Sequence, residues 1–468
     1  MLYSLTVQPS LLADPGARNN IAEAQVVGDG VVTGGQRVWS AWVLFTNRDF
    51  RRSWTGSALS MLGTRTLTVT YPLLSYALTG TSAWMGWVVF AATAPALLTY
   101  LPAGMLIDRL SPQRVMAWSE AGRGLLLASL CVAMVLGQPH ISLLLAVAFV
   151  EGGLAVLSSV AETALIPATA RKGETDTALA VHEATVHTLA LAGRPLGGVL
   201  YGLGMLTSFL TNAFCFLLAA AALFRVPAGE PPDRTLRQPF VREIRTGVEE
   251  VLKHRFLFSA TLLTAHINLV MQSLTVVFIA HMSTTGLSPA VMGMYLAASG
   301  IGGIMGALIS PKRRDISNKI QETIDRNWIA ALAEWVGLTQ SGRSTLLVQI
   351  WLCSAGLTLI LFADLTPWAF GLALLLNGMG GALSNVTIRT EFNSIPADRT
   401  ARVVSISRLV AYGSIALGPV VATLLYESAG PHATVMILAL LMVASALAMT
   451  FTPSWRRCLS PNWQPVEP

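Results

Sequence analysis

The sequence predicts an all-α membrane protein with twelve transmembrane helices in two six-helix halves. Three observations carry that reading. Charge is scarce, apolar runs of spanning length recur along most of the chain, and lysine and arginine gather in every second connection.

Charged residues make up 12% of the 468 positions and apolar residues 53%, with a mean hydropathy of +0.58. A soluble domain spends about a quarter of its residues on charge. A chain this poor in charge cannot cover a water-facing surface, so lipid is its solvent. The net charge of +6 does not point to nucleic acid, because its distribution follows the topology described below. Cys131, Cys215, Cys353 and Cys458 show no paired spacing, and the first three lie in apolar runs where cysteine acts as a small hydrophobe. The histidines are scattered and no Walker motif occurs, so no metal, cofactor, nucleotide-driven pump or enzyme is expected.

Residues 1–49 read as an irregular tail with Asp14-Pro15-Gly16 and further glycine clusters, lacking the signature of a signal peptide. Phe50-Arg51-Arg52-Ser53-Trp54 then brings the chain to the membrane with basic and aromatic interface anchors. A span needs about 20 apolar residues. Such runs fall near 55–77, 83–107, 114–136, 140–164, 178–202, 204–224, 256–281, 289–310, 345–363, 367–388, 402–426 and 431–452. The N-terminal half is therefore 50–225, the linker 226–255, the C-terminal half 256–453 and the closing tail 454–468.

The connections near 78–82, 137–139, 203, 282–288, 364–366 and 427–430 contain no Lys or Arg. The alternate ones hold Arg109, Arg114, Arg171, Lys172, the basic 225–255 loop, Lys312-Arg313-Arg314, Arg399, Arg402, Arg456 and Arg457. Basic short loops stay inside. Both termini are thus expected in the cytoplasm of a bacterial cell, with the chain multi-pass in the inner membrane. Within the linker, Val241, Ile244, Val248, Val251 and Leu252 recur at helical spacing, and in the long loop 311–344 so do Ile320, Ile324, Trp328, Leu332 and Trp335. Both segments read as amphipathic helices at the membrane face.

The halves repeat one another. Ile166-Pro167-Ala168, a charged loop and then Gly193-Arg194-Pro195-Leu196-Gly197-Gly198 are matched by Ile395-Pro396-Ala397, a charged loop and Gly418-Pro419. Parallel repeats of this kind mark many transporter folds.

Between the second and third spans lies Gly104-Met105-Leu106-Ile107-Asp108-Arg109-Leu110-Ser111-Pro112-Gln113-Arg114. It resembles the major facilitator superfamily signature G-x-L-x-D-R-x-G-R-[KR], with Ser111 at the usual glycine. The second copy, Gly306 to Arg314, has Ser310 in place of the acid. The Gly193–Gly198 stretch resembles the family's antiporter motif, with Arg194 at the usual proline. Across 50–455 the chain is similar to the drug:proton antiporter subgroup that includes macrolide-efflux proteins and the enterobactin exporter. The Phe-Arg-Arg lead-in, Leu-Pro-Ala-Gly at 101–104 and Gly-Ile-Gly-Gly at 300–303 are shared. The resemblance implies a monomeric alternating-access carrier in which Gly104, Asp108, Arg109 and Arg114 form a conformational switch.

It also implies that spans 1, 4, 7 and 10 line a central cavity. Polar groups fall near mid-depth on each: Arg65, Glu151, His266 with Asn268, and Asn377. Ionisable groups at that depth face a cavity or one another. Two roles are open to Arg65, a structural bridge to Glu151 or contact with an anionic substrate. Glu151 is the acid best placed to carry a proton, since a carboxyl removed from water favours its uncharged form; the alternative is a permanently paired acid. Glu162 lies three turns further on the same face, suited to a relay or to capping. Arg194 reads as a gating or substrate group. His266, Asn268 and Asn377 divide between substrate contact and helix–helix hydrogen bonding.

The leading expectation is a secondary exporter of an amphipathic organic molecule (a siderophore, antibiotic or related natural product) in exchange for protons. Arg65 and Arg194 favour an anionic or chelating cargo. An uptake or lipid-flipping permease of the same fold is the first alternative. A non-transporting membrane sensor or scaffold is the second.

Overall fold

The computed structural model describes residues 44–137, 139–171, 174–227, 248–310, 345–393, 395 and 397–452. Among them every regular element is helical. In chain order these are α1 (Arg48–Thr79), α2 (Ala83–Thr93 continuing as Pro95–Arg109), α3 (Pro112–Leu136), α4 (Ile141–Thr169), α5 (Thr175–Leu203) and α6 (Met205–Leu223). The second half follows as α7 (Arg255–Thr284), α8 (Pro289–Ile309), α9 (Thr345–Phe362), α10 (Pro367–Asn393) and the helix Ala397–Phe451. A non-helical Gly430 divides that last helix into α11 and α12.

Local chemistry sets these limits. Asn47 caps α1 by accepting from the backbone N–H groups of Asp49 and Phe50, and its amide donates to the Thr169 carbonyl at 2.9 Å, tying the start of α1 to the end of α4. Pro95 has no N–H to continue the helical ladder, which accounts for the step at Ala94 within α2. Gly430 takes φ 79°, a conformation that costs any residue with a Cβ, and Pro431 follows it into α12.

Nine helices are long and apolar enough to cross a membrane by length and composition among the described residues. One of them, Ile406–Phe451, runs for 46 residues, the length of two crossings joined at Gly430. The helices that miss this measure are α1, with Arg52 and Arg65 among its charges, and α5, with Glu183 and Arg194. Both have spanning length, and both border the site described below. Leu136, Leu308 and Leu440 lie on the outer surface, exposed; such side chains suit lipid rather than water.

The end carrying the α2–α3 and α4–α5 connections holds Arg109, Arg114 and Arg171 and is termed the basic end. Within the first half, α3 packs on α4 and α6, and α1 on α5 and α6. Leu67, Leu74, Leu127, Leu144, Phe209 and Phe216 form its core. The second half is organised around α7, α8, α9 and α10 with Phe278, Ile350, Leu357 and Phe370 at its centre.

The halves meet chiefly along α5–α8 and α2–α11. Missing side chains let the α5–α8 seam close. A Cβ at Gly198 would lie 2.1 Å from the Pro289 carbonyl oxygen, and one at Gly293 would lie 2.5 Å from that of Arg194. Small residues allow such backbone approach between membrane helices.

Of the linker, Val248–Lys253 continue as helix toward α7, with Val251 buried and Leu252 exposed. Val241, Ile244 and the whole 311–344 segment lie outside the described residues.

Candidate transport site: a buried charge cluster beside a central cavity

Three helix faces converge inside the first half. On α1, Ser57, Ser60 and Thr64 recur at helical spacing; on α3, Glu120 and Arg123 are three apart; on α4, Glu151, Ser158 and Glu162 share one stripe. Arg123, at 1% exposure, is the hub. Its guanidinium donates to Glu151 Oε1 from Nε at 2.8 Å and lies 2.7 Å from the same oxygen through Nη2. It also donates to Glu120 Oε1 at 3.0 Å, Ser60 Oγ at 2.9 Å and Thr64 Oγ1 at 2.7 Å. Its Cζ sits 3.9 Å from the centre of the Phe216 ring on α6, a cation–π contact in a dry setting.

Glu120 is fully buried. Its Oε1 also accepts from Ser60 at 2.7 Å and Ser158 at 2.5 Å, whereas its Oε2 has no partner among the described residues. Glu162 accepts from the Ser57 hydroxyl. By helical rise, Glu151 lies about 15 Å from the opposite end of α4, and Glu162 about 10 Å from the basic end. The cluster therefore extends from mid-depth toward the basic end. Two carboxylates share one guanidinium, and a third, Glu162, lies buried further along α4.

A cavity of about 140 Å³ opens beside it, between the halves. Thr64, Thr68 and Tyr71 of α1, Glu151 and Gly152 of α4, Arg194 of α5, Gln272 and Thr275 of α7 and Leu296 of α8 line it. Glu151 is thus the member of the cluster that faces the cavity. Arg194 Nη1 reaches across to α8, donating to the Leu296 carbonyl at 3.0 Å and Ser299 Oγ at 2.7 Å.

Of the residues singled out in the sequence, Glu151 and Arg194 share the cavity wall. Arg65 lies near Arg194 but does not pair with Glu151, whose cation is Arg123 from α3. Glu162 sits lower in the same bundle. His266 and Ser445 Oγ are 3.2 Å apart, joining α7 to α12. Asn268 donates to the Ala411 carbonyl at 3.4 Å, joining α7 to α11. Asn377 accepts from Cys353 Sγ at 3.4 Å, joining α10 to α9. These three tie the second half together and do not line the cavity. Arg114 is exposed on the first turn of α3. The side chains of Gly104, Asp108 and Arg109 lie outside the described set, though their backbone completes α2. Sequence reasoning passed over Glu120 and Arg123. The available signal was an acid–base pair at i,i+3 in an otherwise apolar span, facing a serine and threonine stripe on α1.

A bundle of membrane helices in two halves, with a cavity between them that carries a few charged and polar groups in a largely apolar wall, is the architecture of a membrane transporter. The chain belongs to the Major Facilitator Superfamily, whose family model matches residues 53–333. That class moves solutes and is not enzymatic. The multidrug efflux pump Tap of Mycolicibacterium fortuitum is 26% identical over 403 residues, covering 83% of this chain and 91% of the relative. Tap of Mycobacterium tuberculosis (strain ATCC 25618 / H37Rv) is 26% identical over 406 residues, covering 83% and 89%. Among solved structures, the nucleoside transporter NupG superposes with a TM-score of 0.65 at 12% identity, over 86% of this chain and all of NupG. A POT family transporter in complex with 5-aminolevulinic acid gives 0.63 at 11%, over 88% and 96%. These two likenesses show the fold.

Proposed function

We propose that the protein exports an amphipathic organic molecule from the bacterial cytoplasm through the inner membrane in exchange for protons. The observation that carries the reading is the pair Glu120 and Glu151 on a single Arg123, with Glu162 a further buried acid on the same α4 stripe and Glu151 at the cavity wall. Keeping unbalanced charge in a dry bundle is costly, so the excess carboxylates hold protons whenever water is excluded. A proton entering from the far side reaches Glu151 first. It leaves toward the basic end by way of the Ser158–Glu120 and Ser57–Glu162 contacts. Substrate and proton then occupy adjoining parts of one site and leave it on opposite faces. The names of the efflux relatives support the outward direction, and the basic loops support cytoplasmic termini. The cargo expected is a siderophore, antibiotic or related natural product, carried by a monomer.

The test is movement of a macrolide and of a catecholate siderophore in proteoliposomes under an imposed pH gradient, comparing the natural chain with Glu151→Gln. Gradient-driven movement that disappears in the variant supports the exchange. Movement that persists transfers the proton role to Glu162. No gradient-driven movement of either compound argues for the permease or sensor alternatives.

A further inference from the structure

Several of the described arginines have a carboxylate partner. Arg123 has Glu120 and Glu151, Arg389 has Glu183 at 3.2 Å, and Arg52 has Asp49 at 3.6 Å. Arg65, Arg194 and Arg408, each on a membrane helix bordering the gap between the halves, have no described carboxylate as partner. The Arg408 guanidinium on α11 donates to Tyr100 Oη on α2 at 3.4 Å. The ring of Tyr100 stacks 5.4 Å from that of Tyr412, and Tyr412 lies within electrostatic reach of both Arg408 and Arg65. Arg65 is joined by no hydrogen bond or ion pair of its side chain to a described residue.

Its stem rests on the α5 backbone next to Arg194. A Cβ at Gly193 would fall 2.4 Å from the Arg65 Cβ, so a side chain there would expel it. Arg194 in turn lines the cavity, feels the Arg65 charge and bonds only neutral acceptors. By helical rise Arg408 is about 16 Å from the start of its helix at the basic end, and Arg194 about 14 Å from the opposite end of α5. The cations therefore run inward from the basic half of the molecule to the cavity wall. Adjacent cations without a counter-charge at this depth are costly, and a ligand carrying the missing negative charge removes the cost.

We propose that Arg408, Arg65 and Arg194 form a track for the anionic group of the transported molecule, which is therefore an amphipathic organic carboxylate. This rests on the exporter reading above and names its substrate class. The track and the acid cluster occupy different helices (α1, α5 and α11 against α3 and α4), and both reach the cavity. Anion and proton thus have separate seats, and the apolar remainder of the ligand lies against Leu67, Val89, Val276 and Leu296.

The experiment uses two fluorescent probes that differ in one charge, dansylglycine and dansylglycinamide. They are titrated against the full chain in phosphatidylcholine nanodiscs, with energy transfer from tryptophan as the readout. The carboxylate is expected to bind about tenfold tighter than the amide. Arg65→Gln and Arg194→Gln should each remove most of that preference, and an unchanged circular dichroism spectrum and elution profile show that the variants fold. Arg65→Lys should retain it. Equal affinity for the two probes, absence of carboxylate binding, or a preference that survives both Gln substitutions would overturn the proposal. Binding needs no gradient, so the two readings fail separately. Discrimination without gradient-driven export leaves the anion track and removes the exporter, and export of the amide alone does the reverse.

Discussion

Replacing Arg123 by Met tests the charge cluster as a physical object. The guanidinium has 1% exposure and binds two buried carboxylates, Ser60, Thr64 and the Phe216 face. Met keeps most of the stem volume but leaves Glu120 and Glu151 without their cation. Breaking a buried ion pair by removing one partner costs about 3–5 kcal/mol. Glu151→Gln alone keeps an acceptor for Arg123, which still has Glu120, so its cost should be nearer 1–2 kcal/mol, the scale of one charged hydrogen bond. With both substitutions a neutral amide lies beside a thioether, and only Glu120 remains unbalanced. The double variant should then cost clearly less than the sum of the singles, by about 2 kcal/mol. Unfolding of the detergent-solubilised protein by titration with sodium dodecyl sulfate, followed by circular dichroism, gives each corner of the cycle. Additive costs would instead mean that Arg123 acts through packing and not through Glu151.

Other expectations concern the seams and turns. Gly198→Leu should push α5 from the Pro289 carbonyl and hold the halves apart at the far end. Cysteine placed at Leu296 should then be labelled faster by a membrane-impermeant maleimide than in the natural background, while transport falls by tenfold or more. Glu183→Ala or Arg389→Ala breaks a half-exposed pair between α5 and α10; its effect on stability should stay below about 1 kcal/mol, measured by the same detergent titration. Gly430→Ala forces a Cβ into φ 79° and should cost about 1 kcal/mol by that assay, with transport retained.

Much of the architecture was legible because membrane helices announce themselves by length and the loops by charge. The break at Gly202–Gly204 and the alternation of basic connections both correspond to helix ends in the structure. The continuation of α11 into α12 was less visible. Glu427-Ser428-Ala429-Gly430 reads as a connection, yet the helical ladder runs through to Gly430 before it breaks.

The site was half legible. Glu151 and Arg194 stand out as charges inside apolar spans, and both line the cavity. Their partners did not follow from the sequence, because pairing depends on helix rotation and neighbour order. Arg65 and Glu151 sit at similar depth but face different neighbours, whereas Arg123 points from α3 into the α1–α4 groove. His266, Asn268 and Asn377 share the depth of the cavity without facing it, since depth is set by sequence position and facing by packing. The arginines Arg65, Arg194 and Arg408, inside the spans and without a described acid, became apparent only once the acids had been assigned elsewhere.

Uptake and release of protons by the acid cluster within the membrane can be tested without knowing the substrate. Protein reconstituted on a solid-supported membrane is given a rapid pH jump, and the transient capacitive current is recorded. A transient is expected in the natural chain that shrinks in Glu151→Gln and vanishes in the Glu151→Gln, Glu162→Gln double variant. An unchanged transient in the double variant, or none in the natural chain, would contradict it.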